Sequence, residues 1–537
     1  MKTEFDYIVV GAGSAGCVLA NRLSENGRHS VLLVEAGGTD EKFWVQMPLG
    51  IGKIWHDPEL SWQYHTEPET SLKGQKIFWP RGRMLGGSSS INGMIFVRGE
   101  PKRYDEWAAA GNKGWGWRDL LPYFKGLETA PEGTGSMRGH SGPIRCNYGV
   151  VRDQVSQGFI DAAQGTGIPF NPDYNGESAE GIGWLQFSIH KGKRFSVAKA
   201  YLHPVMGRQN LTVMTHTPAQ KILLDGVRAT GVRVLVKGQA VDMKARREVI
   251  LSAGPLVSPK LLELSGIGNS EILNKHGIEV VHHLPGVGEN LTDHLHTRFN
   301  YRVNQKVTLN DLLNNKLRGG LAFFRYLATG KGLMGTPTVT AHAMACSDEA
   351  QPYADLKLQI ALYSAKDRYL DGSGPPTDPF SGIGLGQFHI YPESRGSVHI
   401  QSRDPDQQAA MNANYFSASG DAEKALAGMR RLRDIARHPA LAQYIEDETD
   451  PGFNVDSDAE IIEFMRRTGQ TSWHPISSCR MGSGPADVVD DELRVHGMQG
   501  LRVIDSSIFP SMPATNTNIP TVAVAEKGAS MVLADTV

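Results

Sequence analysis

A glycine-rich turn near the start of the chain constrains its fold more than any other feature. The apolar residues 7–10 predict a short buried strand, and Gly11, Gly13 and Gly16 follow directly after it. Gly11 permits a tight turn, Gly13 lets the backbone approach a phosphate, and Gly16 lets the next helix pack against the strand. The helix predicted over 15–25 would point its positive N-terminal end at that phosphate. The pattern therefore predicts a strand–turn–helix unit that binds the pyrophosphate of a dinucleotide.

A second apolar run, residues 31–34, ends in Glu35. A carboxylate at this distance from the glycines can accept hydrogen bonds from a ribose 2′-OH, and it would repel a 2′-phosphate, so NADP is disfavoured. Strand, helix and acidic residue agree in spacing, which favours a nucleotide site over a glycine-rich turn without a ligand. The motif by itself leaves FAD and NAD as alternatives.

Length and composition limit the remaining classes of protein. A chain of 537 residues exceeds a single simple core, so two or more domains are expected. The net charge of −2 gives no electrostatic argument for nucleic acid as a partner. The four cysteines are scattered without metal-ligand spacing, so free thiols in a reducing compartment are expected.

The sequence pattern carries no recognisable targeting or membrane-spanning signal. The first apolar stretch is not preceded by a basic segment, which disfavours a secretory signal. No apolar run reaches the roughly 18 to 20 residues that span a bilayer, and the nearest, 321–324, is interrupted by Arg325. We therefore expect a cytoplasmic protein without a transmembrane segment, while peripheral association with a membrane and the oligomeric state stay open.

The order of predicted elements indicates a discontinuous first domain. An amphipathic helix at 258–265 follows several short predicted strands, and a strand at 501–504 with a helix at 521–533 closes the chain. The region between them has strands and helices of its own. We expect an α/β fold in which one domain is formed by 1–155, 195–295 and 470–537, and a second by 156–194 and 296–469.

A second segment rich in glycine and serine covers residues 80–94. Backbone N–H groups in such a loop can form an anion-binding concavity, and the adjacent Gly86 and Gly87 allow a flat ring to lie against the backbone. A flexible loop is the alternative, but residues 91–97 continue the segment as a run that looks buried. The local sequence favours a ligand site and leaves the loop open as an alternative.

Three motifs together resemble one enzyme family. Residues 80–94, 254–268 and 285–294 are similar, in this order, to signature segments of the glucose–methanol–choline (GMC) oxidoreductases, and the resemblance extends over nearly the whole chain. These are FAD-dependent alcohol oxidases and dehydrogenases, and the chain is most similar to the choline-dehydrogenase-like and alcohol dehydrogenase branch. The resemblance implies FAD as cofactor and a Rossmann-like FAD-binding domain. It also implies a substrate domain whose mainly antiparallel sheet, covered by helices, lies over the flavin.

The resemblance also implies which residues contact FAD. Ile91 stands where some members attach FAD covalently through a histidine, so non-covalent FAD is expected. Glu35 would bind the adenosine ribose, and backbone near Ala219 would contact the adenine. The complete set of expected cofactor-binding residues is Gly11, Gly13, Ser14, Ala15, Gly16, Glu35, Ala36, Arg83, Gly86, Gly87, Ser88, Asn92, Gly93, Met94, Ala219, Ala253, Gly254, Asp505, Asn518 and Thr521.

Two residues near the end of the chain are the expected catalytic pair. His474 precedes Pro475, which restricts its backbone to an extended conformation, and the segment resembles the family's active-site histidine. A neutral imidazole is suited to remove the proton of an alcohol. Asn516, where members carry His or Asn, would hydrogen-bond the alcohol oxygen. His294 and His296 have a spacing that two metal ligands can show. His-x-His without further ligands is weak support for a metal site, so no metal is expected.

The resemblance implies FAD-dependent oxidation of a primary alcohol to an aldehyde, with electrons passed to a quinone-type acceptor. Three alternatives stay open: an alcohol oxidase that uses O₂, a lyase that keeps the flavin and cleaves cyanohydrins, and a flavin-binding protein without catalysis. The substrate is undetermined among choline, aliphatic and aromatic alcohols, sugars and polyethers. Choline would need a carboxylate and aromatic rings around its cation, and the region 300–470 shows no recognisable set of them.

Overall fold

Two seven-stranded sheets organise the computed structural model, which describes residues 2–132, 134–149, 151–366 and 377–535. In chain order their strands are β1 (Glu4–Val10), β2 (Val31–Val34), β3 (Gly181–Trp184), β4 (Leu211–Met214), β5 (Ala219–Asp225), β6 (Arg228–Val236), β7 (Gln239–Leu251), β8 (Leu295–Val303), β9 (Val339–Ala345), β10 (Leu356–Ala361), β11 (Gly382–His389), β12 (Ile445–Asp450), β13 (Gln470–Thr471) and β14 (Leu501–Val503).

Helices and short ribbons connect these strands. The α-helices are α1 (Ser14–Ser24), α2 (Phe43–Gln46), α3 (Ile51–Ile54), α4 (Pro101–Ala109), α5 (Trp117–Leu127), α6 (Gln154–Gly165), α7 (Ser258–Leu264), α8 (Ser270–Lys275), α9 (Leu309–Leu313), α10 (Lys316–Thr329), α11 (Ser419–Arg437), α12 (Pro439–Ala442), α13 (Asp458–Thr468) and α14 (Asn518–Ala534). Short paired strands outside the two sheets include Ser61–His65 with Phe78–Gly82 and Ser397–His399 with Ala410–Asn412.

The first sheet is parallel at its centre. Its strands lie in the order β4, β2, β1, β7, β6 and β5, with β14 beside β7. β1 pairs in parallel with β2 and with β7, whereas β5, β6 and β7 form an antiparallel edge. The apolar residues of β1 and β2 are buried, as expected for strands covered by helices on both faces. Since α1 connects β1 to β2, the turn 11–16 lies at the carboxyl end of β1, where open α/β sheets bind ligands.

The last helix of the chain packs beside the first. Arg22 of α1 pairs with Glu526 of α14, with 2.7 Å between Nε and Oε2, and the Tyr201 hydroxyl donates to the same carboxylate at 2.5 Å. Ser14 at the start of α1 donates its hydroxyl to Oδ1 of Asn518 at the start of α14, at 2.6 Å. Segments from the two ends of the chain therefore pack against each other beside the first sheet.

The second sheet is antiparallel, in the order β12, β8, β11, β10, β9 and β3, with β13 beside β8. Its side chains alternate between two faces. Leu356, Leu358 and Ile360 of β10 are buried in an apolar core that includes residues of α11. Lys357 and Gln359, which alternate with them, line a cavity on the opposite face.

The two-sheet architecture confirms the expected α/β fold with a mainly antiparallel second sheet. Two elements begin earlier than their apolar residues predict. β7 begins at Gln239 and α14 begins at Asn518. The sequence pattern does not predict β8. Its sequence, LHTRFNYRV, alternates large polar side chains with apolar ones, and the polar side chains of His296 and Arg298 line the cavity. The boundaries of the two domains stay a prediction.

Candidate active site

The turn after β1 has the geometry that its glycines predict. Gly11 has a φ of +97°, in the region that favours glycine, and a Cβ there would lie 2.7 Å from the carbonyl oxygen of Ser252. A Cβ on Gly16 would lie 1.8 Å from the carbonyl oxygen of Gly11, so α1 can pack this closely only without a side chain. The turn is thereby held against the backbone that follows β7.

Glu35 directly follows β2 and points back at this turn. Its Oε2 accepts a hydrogen bond from the backbone N–H of Ala12 at 2.9 Å, and its Oε1 accepts one from that of Gly37 at 2.8 Å. Burial raises the pKa of this carboxyl to about 7, although the donors of Gly37 and Ala12 oppose the shift. The carboxyl oxygens retain acceptor capacity, so the side chain can still bind a ribose hydroxyl.

One continuous cavity of about 1220 Å³ extends from this turn to His474 and Asn516. Most of the expected cofactor residues line it, namely Gly11, Gly13, Ser14, Ala15, Glu35, Ala36, Gly87, Ser88, Asn92, Gly93, Met94, Ala219, Ala253, Gly254, Asp505, Asn518 and Thr521. Three of the expected residues lie outside its wall. Gly16 packs beneath the turn, Gly86 donates its N–H to the Ala12 carbonyl oxygen at 2.8 Å, and the Arg83 guanidinium lies 4.6 Å from the centre of the Trp62 ring.

Polar side chains join the loops around the cavity. Asp505 accepts from the backbone N–H of Gly254 at 2.9 Å and from the hydroxyl of Ser258 at 2.6 Å. The contact of Ser14 with Asn518 brings the first turns of α1 and α14 to the same wall. Both helices therefore present their N-termini to the cavity, where the partial positive charge stabilises an anion.

The residues of this cavity fit FAD. Gly93 and Gly254 line the cavity, and a Cβ on either would meet no neighbouring atom within 4 Å, so the backbone is open to a bound molecule there. The helix N-termini suit a pyrophosphate and Glu35 suits a ribose. Ile91, which is 3% exposed, has no nucleophilic atom through which a flavin could be attached.

His474 is held through its backbone and both ring nitrogens. Its N–H donates to Oδ1 of Asp293 at 2.7 Å, and the other carboxylate oxygen of Asp293 accepts from the hydroxyl of Thr471 at 2.5 Å. Nδ1 of His474 lies 2.9 Å from Nδ1 of His294. Its Nε2 lies 2.9 Å from Nδ2 of Asn516. The side chain is thereby fixed in the wall of the cavity.

A chain of hydrogen bonds runs from the Ile390 carbonyl oxygen through His294, His474 and Asn516 to Lys357. The groups at its two ends fix the direction of every bond in it. His294 Nε2 lies 2.7 Å from the carbonyl oxygen of Ile390, which only accepts, so this nitrogen carries the proton and His294 Nδ1 is an acceptor. At the other end, Lys357 Nζ, which only donates, lies 3.0 Å from Oδ1 of Asn516. The amide therefore turns its NH₂ group toward His474. It follows that His474 is protonated at Nδ1 and has its lone pair at Nε2.

Burial keeps both histidines neutral. It lowers the pKa of His474 well below its ordinary value, and His294, Lys357 and Arg81 add to the shift. Burial also lowers the pKa of His294 to about 3. The same cause lowers the pKa of Lys357 to about 7. A neutral imidazole with an unprotonated Nε2 beside a cavity is equipped to act as a general base.

The sequence pattern predicts that His474 and Asn516 lie together, but it misses the residues that position them. His294 is considered there only as half of a metal pair, and Asp293 and Lys357 are not considered. A usable signal is the alternation of Lys357 and Gln359 with apolar residues, because a strand buried on one face presents its polar residues on the other. Within the described ranges, no group of three or more His, Cys, Asp and Glu is arranged to hold a metal ion.

A Rossmann-like nucleotide turn, a cavity that fits FAD and an enclosed histidine–asparagine pair define a flavin-dependent oxidoreductase. Family models described as GMC oxidoreductase match residues 5–296 and 392–525, and the chain belongs to this family. Its members bind FAD and act on CH–OH donors, so the resemblance inferred from the motifs is confirmed and FAD is the cofactor.

Individual relatives agree with this assignment. The chain is similar to an oxygen-dependent choline dehydrogenase of Photobacterium profundum, at 41% identity over 100% of this chain and 94% of that protein. It is also similar to an alcohol dehydrogenase (acceptor) of Pseudomonas putida, at 36% identity over 98% and 96% of the two chains. Among solved structures it resembles formate oxidase of Aspergillus oryzae RIB40, with a TM-score of 0.92 and 25% identity over 99% of both chains.

Proposed function

We propose that this protein oxidises a primary alcohol to an aldehyde with FAD as cofactor and His474 as general base, and that the electrons pass to a quinone-type acceptor. The observation that carries the proposal is the directed hydrogen-bond chain, which leaves Nε2 of His474 unprotonated beside the cavity. The relatives support the reaction class, since one is named a choline dehydrogenase and another an alcohol dehydrogenase that uses an acceptor.

The chemistry divides between the cofactor and the side chains. Oxidation removes a proton from the alcohol oxygen and a hydride from its carbon, and FAD, when bound, supplies the acceptor for the hydride. His474 takes the proton at Nε2, a role typically worth about 10² to 10⁴ in rate, or about 3 to 5 kcal/mol of barrier. Asn516 has a second N–H on Nδ2, which can donate to the alcohol oxygen and hold it beside the base.

Residues around the pair keep it in this arrangement. His294 accepts a hydrogen bond from Nδ1–H of His474 and so keeps Nε2, the nitrogen that faces Asn516, unprotonated. Lys357 fixes the amide of Asn516 with its NH₂ group toward the base. Asp293 binds the backbone N–H of His474, which sets the position of the ring. These three residues position the base without themselves exchanging a proton with the alcohol.

O₂ is the second candidate for the electron acceptor. One relative is named oxygen-dependent, and a structural neighbour is a formate oxidase. The difference can be measured after anaerobic reduction of the FAD-loaded protein by substrate, followed by mixing with either a soluble quinone or O₂. We expect faster reoxidation by the quinone, and faster reoxidation by O₂ would assign the protein as an oxidase.

A panel of alcohols tests the reaction itself. FAD-loaded protein is mixed anaerobically with primary alcohols of different charge and size, and flavin bleaching and the aldehyde product are measured. We expect at least one primary alcohol to bleach the flavin with formation of its aldehyde. Cleavage of a cyanohydrin without bleaching by any alcohol would contradict the proposal and favour the lyase.

A further inference from the structure

A lysine buried in the wall of the cavity lacks a counter-charge. Lys357 is 0% exposed, and its Nζ donates to Oδ1 of Asn516 at 3.0 Å. In its protonated form Lys357 has three N–H donors, so this bond leaves two of them available. In the parts of the chain that the structure describes, no carboxylate lies within the 4.0 Å of an ion pair with Lys357. Buried lysines are almost always paired, so a ligand is the natural source of the missing acceptor.

Lys357 belongs to a polar part of the cavity-facing surface of the second sheet. In this part Gly386 of β11 pairs with Arg298 of β8 on one side and with Gln359 of β10 on the other. A Cβ on Gly386 would lie 2.4 Å from Nε2 of His296, so the glycine makes room for that ring. All these residues line the same cavity as His474. The cavity wall beside Lys357 therefore contains a guanidinium and other side chains that can donate hydrogen bonds.

The buried carboxylate on this side of the cavity interacts with other cations. Asp450 of β12 lines the cavity, and burial raises its pKa. Arg467, Lys366 and Arg298 oppose that shift. Lys357 is not among these groups, and burial lowers the pKa of its ammonium. Asp450 therefore interacts with other cations and does not supply the counter-charge of Lys357.

This arrangement is unfavourable for choline. A quaternary ammonium is recognised by aromatic faces and by carboxylates. Nζ of Lys357 lies 5.5 Å from the centre of the Phe388 ring. The lysine therefore occupies the position at this ring that a cationic ligand would need. A second positive charge in this enclosed site would be repelled at short range with little screening by solvent.

We propose that the cavity takes an alcohol that also carries a carboxylate, and that Lys357, with His296 and Arg298, binds the carboxylate. This inference rests on the proposed function, because it assumes that the hydroxyl of the same molecule reaches His474. Asn516 contacts both Lys357 and His474, so the carboxylate and the hydroxyl belong to one small molecule. An anion at Lys357 would supply the acceptor and the counter-charge that the described residues lack.

Binding without turnover separates this inference from the reaction. The FAD-loaded protein is titrated with butanoate, butanamide and tetramethylammonium, and the change in the visible spectrum of the flavin gives each Kd. We expect butanoate to bind about tenfold or more tightly than butanamide, as a hydrogen bond to a charged group implies. We expect tetramethylammonium to give no saturable change. Equal binding of butanoate and butanamide, or tighter binding of the cation, would overturn the inference.

Variants identify the group responsible. Lys357→Met keeps the length of the side chain and removes its charge, and it should abolish the preference for butanoate over butanamide. Arg302→Gln is the control, because it removes a charge from the same strand as Arg298 but at an exposed residue that is not among those lining the cavity. The control should keep the preference. An unchanged preference in Lys357→Met would overturn the role of this residue.

Turnover of matched alcohols completes the test. Anaerobic flavin reduction is compared for 4-hydroxybutanoate, 4-hydroxybutanamide and choline, and ratios between substrates are used because Lys357 also contacts Asn516. We expect the carboxylate to reduce the flavin most efficiently. If choline is the better substrate, the inference is wrong while the proposed function stands. If butanoate binds as expected but no alcohol reduces the flavin, the proposed function is wrong while the anion site stands.

A separate observation concerns the outer surface at the mouth of the cavity. Large apolar side chains of α10, together with Leu313 at the end of α9, are between 52% and 74% exposed, namely Leu313, Leu317, Leu321, Phe324 and Leu327. Leu317, Leu321 and Phe324 follow the spacing of one helix face. Phe323 and Leu313 also line the cavity, so the exposed face borders its entrance. We call this surface the apolar face of α10.

The charges around the apolar face are all of one sign along the helix. The sequence 316–331 contains Lys316, Arg318, Arg325 and Lys331 and no acidic residue. Beside it, Phe43 and Trp44 of α2 are 44% and 37% exposed, and the Phe43 ring lies 5.9 Å from that of Phe323. Exposed apolar and aromatic residues with a basic border are the pattern of helices that lie in the interface of an anionic membrane.

We further propose that the apolar face of α10 docks on a membrane that contains anionic lipid. Charge complementarity favours this occupant over a second copy of the chain, whose identical basic border would be repelled. Docking here would place the cavity entrance at the lipid surface, where an apolar quinone resides. No helix in the described residues is long and apolar enough to span a bilayer.

Sedimentation with vesicles tests this second proposal. The FAD-loaded protein is mixed with vesicles of phosphatidylcholine alone or with added phosphatidylglycerol, and the bound fraction is measured at low and high salt. We expect binding to the anionic vesicles that weakens with salt and is lost in Leu317→Glu. Phe453→Glu is the control, since it changes a residue of similar type that is 45% exposed on another surface. Absence of vesicle binding, or a dimer in solution that Leu317→Glu dissociates, would overturn it.

Discussion

Nδ1 of His294 and Nδ1 of His474 lie 2.9 Å apart, and only one of them can carry the proton between them. The carbonyl oxygen of Ile390 accepts a hydrogen bond from Nε2–H of His294, so the proton between the two Nδ1 atoms belongs to His474. The base is therefore presented to the substrate through Nε2. His294 acts on the reaction through His474 and is a positioning residue.

Replacement of His294 tests this role. In His294→Leu the acceptor for the Nδ1 proton is lost, so His474 should redistribute between its two neutral tautomers and the rate constant of flavin reduction should fall by about 10²-fold. The ¹⁵N chemical shifts of labelled histidine report the tautomer directly. His294→Gln, which keeps a polar acceptor, should restore part of the rate. A wild-type His474 protonated at Nε2 would contradict the assignment.

Because position 91 is an isoleucine, we expect that FAD is not covalently attached there. The side chain is buried beside the cavity and has no nucleophilic atom, so acid precipitation should leave the flavin in the supernatant. The absorbance of supernatant and pellet measures the distribution. A yellow pellet that keeps its flavin after washing in denaturant would show a covalent bond elsewhere in the chain.

Gly16 should be essential for FAD occupancy although it does not line the cavity. A Cβ there would lie 1.8 Å from the Gly11 carbonyl oxygen, so Gly16→Ala must displace the turn that faces the pyrophosphate. We expect a large loss of flavin per protein, measured from the ratio of visible to ultraviolet absorbance. Gly207→Ala, where a Cβ meets nothing within 4 Å, is the matched control. Full occupancy in Gly16→Ala would show that the turn adapts without loss.

The ion pairs of His399 should make the free energy of unfolding depend on pH. Burial lowers the pKa of this imidazole, but hydrogen bonds to Glu263 and Glu289 outweigh burial and raise it to about 9. Because the folded pKa lies above the ordinary value of about 6.5, the stabilisation is complete below pH 6.5 and is lost as the pH rises through about 9. His399→Gln should therefore destabilise the protein by about 1–3 kcal/mol at pH 6 and by much less at pH 10. Unfolding midpoints in denaturant at the two pH values measure this, and an equal loss at both would contradict the ion pair.

The β1–α1–β2 unit of the first sheet could be predicted from sequence because its signals are local. The strand, the glycine turn, the helix and Glu35 all lie within one continuous segment, and each fulfils a requirement of nucleotide binding. The cavity-facing side of the second sheet could not be predicted in the same way. Lys357, Arg298 and Gly386 come together only through the pairing of β8, β11 and β10, and strand pairing is not encoded in any one of these strands.

The tautomer of His474 illustrates the same limit. The segment around this residue identifies a base, and the contact with Asn516 follows from the resemblance to the family. The proton position depends on His294 and on a backbone carbonyl at Ile390, which lie far away in sequence. A backbone carbonyl has no sequence signature, so this part of the site needs the three-dimensional structure.

The most direct test of His474 as the general base is the rate constant of flavin reduction in His474→Ala. Wild-type and variant proteins, both loaded with FAD, are mixed anaerobically with the best alcohol of the panel in a stopped-flow spectrophotometer. If His474 is the general base, the rate constant falls by about 10²-fold or more with FAD still bound, and it falls less in Asn516→Ala. A loss of about tenfold or less in FAD-replete His474→Ala would contradict the role of His474 as the general base.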